Sequence, residues 1–270
     1  MDFLNLKGKV FYIAGVANKK SVATFTARTL IESGAKCLFS VQNETQLDAV
    51  KKIFPDSPVF VCDVENKAHL QNLPLEIKQH TDKLDGFLHS LAFANFSEGP
   101  KPFLQTKRED YLQAAQISSF SLVEVANALK DTLSTNASIV TISISNTKAT
   151  SYGYLGPIKA MLDATVPFLA KSFSEFSKVR VNAIGAGPLK TSASAGIPDY
   201  IENYLYAEEL TLRKEALQTQ EVANTACFLL SERSSGINAT TLLVDAGMSC
   251  NTFDQKIVKD FARSISLSIK

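Results

Sequence analysis

Seven short apolar runs, separated by longer segments of helical period, constrain this chain more than any other feature. "KVFYIAG" (Lys9–Gly15), "KCLFSV" (Lys36–Val41), "SPVFVCDV" (Ser57–Val64) and "LDGFLHSLAF" (Leu84–Phe93) each read as a strand. So do "ASIVTISIS" (Ala137–Ser145), "KVRVNAIGAG" (Lys178–Gly187) and "TTLLVDAG" (Thr240–Gly247). Runs this continuously apolar are covered on both faces, which is the condition of a parallel sheet. Between the first two, Ser21–Gly34 places Val22, Phe25, Thr26, Thr29 and Leu30 at helical spacing and closes on a glycine. Right-handed crossovers then give an α/β fold, a doubly wound parallel seven-stranded sheet of Rossmann-like form. No linker, repeat or low-complexity block interrupts it, so residues 1–270 are expected to form a single domain.

Two stretches break the rhythm. Ser192–Gln218 starts with small residues and then carries Tyr200, Tyr204 and Tyr206. An insertion after a strand's carboxyl end is where a substrate lid belongs. The tail, residues 251–270, spaces Phe253, Ile257, Val258, Phe261 and Ile265 as a helix would, which reads as a packed or interface helix.

Composition narrows the function. A net charge of +1 gives no field for nucleic acid. The N-terminus lacks the apolar core of a secretory signal, and no window reaches the roughly 18 apolar residues of a membrane span, so no membrane partner is expected. Cys37, Cys62, Cys227 and Cys250 are scattered without metal spacing, which suits a reduced, cytoplasmic compartment and no bound metal.

The turn after the first strand runs Gly15-Val-Ala-Asn-Lys-Lys-Ser21-Val22-Ala23. It has fewer glycines than the usual dinucleotide fingerprint. Ser21 at the helix start, with free backbone N–H groups and the helix dipole, can meet a pyrophosphate, or it can be a plain N-cap. Gln42 follows the second strand, where an adenosine ribose is read. No Arg or Lys lies within Ser40–Thr45 to meet a 2′-phosphate, so the expected cofactor is NADH (NAD+) and not NADPH. Asp63 and Val64 end the third strand, a position suited to the adenine edge.

"SYGYLGPIKAM" (Ser151–Met161) offers two tyrosines and one lysine. At 100° per residue, Tyr152 and Lys159 fall on one helical face, while Tyr154 points about 140° away. Tyr152 and Lys159 are therefore the catalytic candidates, and Tyr154 is expected to pack. His89, inside the fourth strand, is expected to be a hydrogen-bonded core residue.

With these residues in place the sequence resembles the enoyl-acyl-carrier-protein reductases of bacterial type II fatty-acid synthesis, within the short-chain dehydrogenase/reductase superfamily. The resemblance runs from "LKGKVFYIAGVANKKSVA" to "SSGINATTLLVDAG" and includes "SVQN", "CDV", "LDGFLHSLAFA", "ISSFS" and "VRVNAIGAGPLKTSASAGI". Its distinguishing marks are Gly-x5-Ser-x-Ala and Tyr-x6-Lys; the wider superfamily typically uses Tyr-x3-Lys. Gly156 and Ile158 stand four residues after the two tyrosines, so the ketoreductase spacing is absent. The resemblance implies NADH-dependent reduction of the trans-2 double bond of an enoyl thioester carried on acyl carrier protein. Tyr152 would hydrogen-bond the enolate oxygen and Lys159 the nicotinamide ribose. It implies that Gly15, Ser21, Val22, Gln42, Asp63, Val64 and Leu91 line the adenosine and pyrophosphate track. Leu189, Lys190, Thr191, Ser192 and Ala193 would pass the nicotinamide, and Ala94 and Ile144 would border the acyl group. The family is commonly a homotetramer.

Three departures sit on the substrate side. Ile144, in "TISI", stands where many of these enzymes have a second tyrosine. Pro157 falls between Tyr152 and Lys159, cheap in a helix's first turn and costly, by roughly 3 kcal/mol, further in. The lid carries Asp199 and Glu202 where relatives often have basic residues, leaving Lys190, Arg213 and Lys214 nearby. A ketoreductase-like enzyme or a non-catalytic NAD(H)-binding homologue is thus an alternative reading.

Overall fold

The computed structural model of the chain describes residues 3–99, 101–190 and 200–268. Seven parallel strands form one sheet: β1 (Val10–Ala14), β2 (Lys36–Val41), β3 (Val59–Val61), β4 (Leu84–His89), β5 (Leu133–Ile144), β6 (Arg180–Ala186) and β7 (Thr241–Val244). Their order is β3-β2-β1-β4-β5-β6-β7. The order reverses between β1 and β4, where Ala14 pairs with His89. Ligands of doubly wound sheets bind outside the strand ends at such a reversal.

Nine α-helices among the described residues flank the sheet: α1 (Val22–Glu32), α2 (Glu44–Ile53), α3 (Lys67–Lys78), α4 (Arg108–Ala115), α5 (Ser121–Leu129), α6 (Leu155–Ser174), α7 (Tyr200–Leu210), α8 (Thr219–Leu230) and α9 (Gln255–Ser268). A π-helical turn, Gln116–Phe120, joins α4 to α5. Short polar residues start the first three helices. Ser21, Asn43 and Asn66 each accept a hydrogen bond from a first-turn N–H, a cap worth about 1 kcal/mol.

Strand alternation divides the core in two. Phe11 and Ile13 of β1 join Phe39, Ala23, Ala27, Val222 and Leu229 on the face covered by α1 and α8. Tyr12 and Ala14 join Phe60, Phe87, Leu122, Leu162 and Val166 on the face covered by α3, α5 and α6. Tyr12, Phe11, Phe39 and Phe87 are fully buried. Each such side chain contributes roughly 1.5–3 kcal/mol on leaving water.

The apolar runs located all seven strands: the run for β2 matches it, the others overran at one or both ends, and β5 begins at Leu133, ahead of its run. The fourth was expected to continue to Phe93; it stops at His89. From Ser90 the chain turns away as a loop over the strand ends, because its apolar side chains line a cleft and do not pair with a neighbouring strand. The expected lid contains α7, and its first residues lie outside those described. The tail does form a helix, α9; of the two readings, packed or interface, its exposed Phe261 and Val258 do not fit packing within this chain.

Candidate active site

One cleft of about 700 Å³ opens over the carboxyl ends of the strands. Gly15 sits at its centre with φ +101°. A β-carbon there would lie 2.1 Å from the carbonyl oxygen of Ser90, so only glycine lets the ends of β1 and β4 approach this closely. Beside it the N-terminus of α1 faces the cleft through Ser21 and Val22. The Ser21 hydroxyl accepts from the Thr24 N–H at 3.2 Å, so Ser21 is an N-cap as well as a wall of the cleft. Gln42, Asp63 and Val64 line the far end, also as the sequence places them. Gln46 joins them unforeseen; its side-chain oxygen accepts from the Gln42 N–H at 3.1 Å, one helical turn away on α2.

Tyr152 and Lys159 line the same cleft, together with Leu91, Ala94, Ile144 and Leu189. The route to this meeting differs from the expected one. Tyr152 is not on α6: it ends a 3-10 turn, Thr150–Tyr152, and α6 starts at Leu155. Gly153, with φ +54° and ψ −139°, turns the chain between them. The shared helical face is therefore not what brings Tyr152 to Lys159; a glycine-permitted turn does. The late helix start also places Pro157 third in α6, inside the first turn, where no intrahelical acceptor waits for its missing N–H.

Lys159 is 5% exposed. Its ammonium donates to the Ile142 carbonyl at 2.8 Å and the Leu91 carbonyl at 3.5 Å. Burial pushes its pKa down to about 8, with the Asp163 carboxylate opposing the shift. Burial raises the Tyr152 phenol above its ordinary value, so it holds its proton throughout the neutral range.

The loop after β4 is tied down from two sides. The Ser118 hydroxyl, on the π-helical turn, accepts from the Phe93 N–H at 2.8 Å and donates to the Phe93 carbonyl at 3.0 Å. The Tyr154 hydroxyl accepts from the Asn95 N–H at 2.7 Å and donates to the Asn95 carbonyl at 3.2 Å. Tyr154 packs, as expected, against Phe96 and Tyr111; its hydroxyl also fixes the cleft wall, which helical phase alone does not reveal. Phe93, Phe96, Ile117 and Leu155 complete an apolar wall that sequence reading missed, because two of them were assigned to strand or loop with no period to mark their direction.

His89 is fully buried, bonded through Nδ1 to Thr141 Oγ1 at 2.9 Å and through Nε2 to Ser121 Oγ at 2.8 Å. Burial, then the nearby Lys159 charge, lowers its pKa to about 3. It is a neutral core residue. Lys190 does not line the cleft: its ammonium lies over the Tyr204 ring of α7, 5.2 Å from the centroid. Thr191, Ser192 and Ala193 lie outside the described residues. Among the described residues no group of His, Cys, Asp and Glu side chains is placed to hold a metal.

The family model described as enoyl-(acyl carrier protein) reductase matches residues 15–249. The chain is 35% identical over 254 residues to enoyl-[acyl-carrier-protein] reductase [NADH] FabI of Bacillus subtilis, covering 92% of this chain and 98% of that one. It is 34% identical over 251 residues to the enoyl-[acyl-carrier-protein] reductase [NADPH] FabI of Staphylococcus aureus, covering 90% and 98%. The crystal structure of the Aquifex aeolicus enoyl-[acyl-carrier-protein] reductase (NADH) superposes with a TM-score of 0.86 at 30% identity, covering 90% of this chain and 97% of that one. The Bacillus cereus enoyl-acyl carrier protein reductase with NADP+ and indole naphthyridinone gives 0.85 at 33% identity, covering 90% and 96%.

Proposed function

This chain belongs to the enoyl-(acyl carrier protein) reductase family, and from that membership we propose how its own residues perform the reaction. The enzyme reduces the trans-2 double bond of enoyl thioesters in fatty-acid elongation, using a nicotinamide cofactor. The observation that carries the assignment of roles is that Tyr152 and Lys159 share one cleft with the Gly15–Ser21 turn.

The cradle fits a dinucleotide. Gly15 leaves room against the Ser90 backbone, the α1 N-terminus presents N–H groups and a positive dipole to a pyrophosphate, and the cleft extends past Gln42 to Asp63 and Val64. The cofactor, when bound, supplies a hydride to the substrate β-carbon. Lys159, held by the Ile142 and Leu91 carbonyls, is placed to hydrogen-bond the ribose hydroxyls. Its positive charge favours the negative charge that develops on the substrate. Tyr152 donates its phenolic O–H to the thioester oxygen as that atom takes on enolate charge. Ala94, Ile144, Phe96 and Leu155 exclude water around the acyl chain. Ile144 offers no hydrogen bond there, so among the described residues Tyr152 is the side chain assigned to that oxygen.

We assign NADH as the preferred form. Gln42 stands at the ribose position and no basic residue follows within Ser40–Thr45. Relatives of both kinds exist, so the choice rests on these residues. The carrier is acyl carrier protein. Arg213 and Lys214, the basic residues near the lid, are paired with Glu221 and Asp254. A cytoplasmic homotetramer completes the proposal. Leu112, Phe120, Met161 and Phe168 stand exposed along α4, the π-helical turn and α6, an apolar face that a second copy would cover. No described helix is long and apolar enough to cross a membrane.

The deciding assay mixes the protein with a crotonyl or dodecenoyl thioester and follows loss of NADH absorbance. Turnover with NADH, and slower turnover with NADPH, is the expected result. Cofactor binding without oxidation would overturn the catalytic reading.

A further inference from the structure

The family match ends at residue 249, and α9 lies wholly beyond it. On a helix, Ile257, Val258, Phe261 and Ala262 fall on one side of this segment, and the sequence continues that phase with Ile265. Lys256, Lys259 and Arg263 fall on the opposite side, with Asp260 as the one acid of the helix. The separation of the two sides is sharp. Phe261 is 66% exposed and Val258 42% exposed, so the apolar side does not serve the core.

The helix is nevertheless fixed in place. Lys256 pairs with Glu209 of α7 at 2.8 Å and Asp254 with Lys214 at 2.6 Å. The Asn251 side chain donates to the Leu210 carbonyl at 2.8 Å. On α7, Ile201 and Leu205 are exposed on the flank that also carries Glu209.

We propose that α9 is an interfacial anchor that lies on an anionic lipid surface, its apolar side in the acyl boundary and its basic side among the headgroups. Charge decides for this occupant. An apolar side backed by a basic polar side suits a surface that offers hydrocarbon and negative charge together. The Arg263–Asp260 pair, exposed on both sides, is weak enough for a headgroup to displace. The helix lies on the surface and does not span it. The anchor would hold the lid side of the cleft towards the membrane, revising the expectation that the chain has no membrane partner.

The test is sedimentation of the full-length protein with vesicles of phosphatidylcholine alone or mixed with phosphatidylglycerol. Binding to the mixed vesicles, weakened by salt, is expected. Lys259→Gln and Arg263→Gln should each lower the partition coefficient about fivefold, and Phe261→Ser about tenfold or more. Crotonyl-CoA reduction should be unchanged in all three, which shows that they fold; if Phe261→Ser loses it, the two basic variants decide. Absent binding, equal binding to neutral vesicles, or binding indifferent to these substitutions overturns the proposal. A fall in solution mass on Phe261→Ser, without vesicle binding by the parent, would assign the face to a second copy and equally overturn it.

Discussion

The hydroxyl of Tyr154 brackets the peptide unit of Asn95, accepting from its N–H at 2.7 Å and donating to its carbonyl at 3.2 Å. Tyr154→Phe leaves that N–H without its partner at the edge of the acyl wall. We expect a several-fold rise in KM for the enoyl thioester, unchanged cofactor affinity, and a stability loss of about 1 kcal/mol. Steady-state kinetics with a denaturant melt would check this; an unchanged KM would reduce Tyr154 to packing.

Tyr152→Phe removes the only side-chain donor assigned to the developing oxyanion. Loss of one such donor costs about 10²–10³ in kcat. Cofactor affinity, measured by fluorescence titration, should be retained. Turnover within a factor of two of the parent would refute the role.

Lys159 gives a pH signature. Its pKa in the fold is about 8, against an ordinary value of 10.5. As pH rises through 8 the ammonium is lost, so kcat/KM for the cofactor should fall on the alkaline side. Stability moves the other way. Below pH 8 the lysine is charged in both states and the burial cost is fully present. Between 8 and 10.5 the unfolded chain holds more protons, so this cost is relieved. Lys159→Met should abolish the alkaline limb of the rate profile. A limb that persists in the variant would assign it to another group.

His89 titrates in the opposite window. Its pKa of about 3 in the fold lies below the ordinary 6.5. Above pH 6.5 it is neutral in both states and costs nothing. As pH falls below 6.5 the unfolded chain takes up a proton that the fold refuses, and stability declines towards pH 3. His89→Gln should be less stable at pH 7, yet lose less on acidification. Parallel urea midpoints for both proteins from pH 7 to 4 would contradict this.

The fold was legible because parallel strands covered on both faces leave apolar runs, and even the edge strand β7, where Leu243 stands exposed, left one. The Gly15–Asp63 end of the cleft was legible for a related reason: Gly15, Gln42 and Asp63 follow strand ends and Ser21 starts a helix, and the pattern locates both. The acyl wall was not. Phe93 and Phe96 belong to a loop whose path is set by Ser118 and Tyr154, partners far away in sequence. Tyr152 shows a subtler failure. It lines one cleft with Lys159, but the helical phase from which their meeting was expected is not present there. A turn at Gly153 replaces it, and nothing local in "SYGYLGPIKAM" distinguishes the two arrangements by period alone.

Pro157 sits in the first turn of α6, two residues before Lys159. Its ring removes one torsional freedom from the denatured chain without asking the helix to give up a bond. A substitution of this kind at a compatible site acts through the disordered ensemble, by about 0.4–1 kcal/mol. Pro157→Ala should therefore lower the melting temperature slightly while leaving every native contact of Lys159 in place. The residue that looked like an obstacle between tyrosine and lysine is a conformational lock on the segment that presents the lysine.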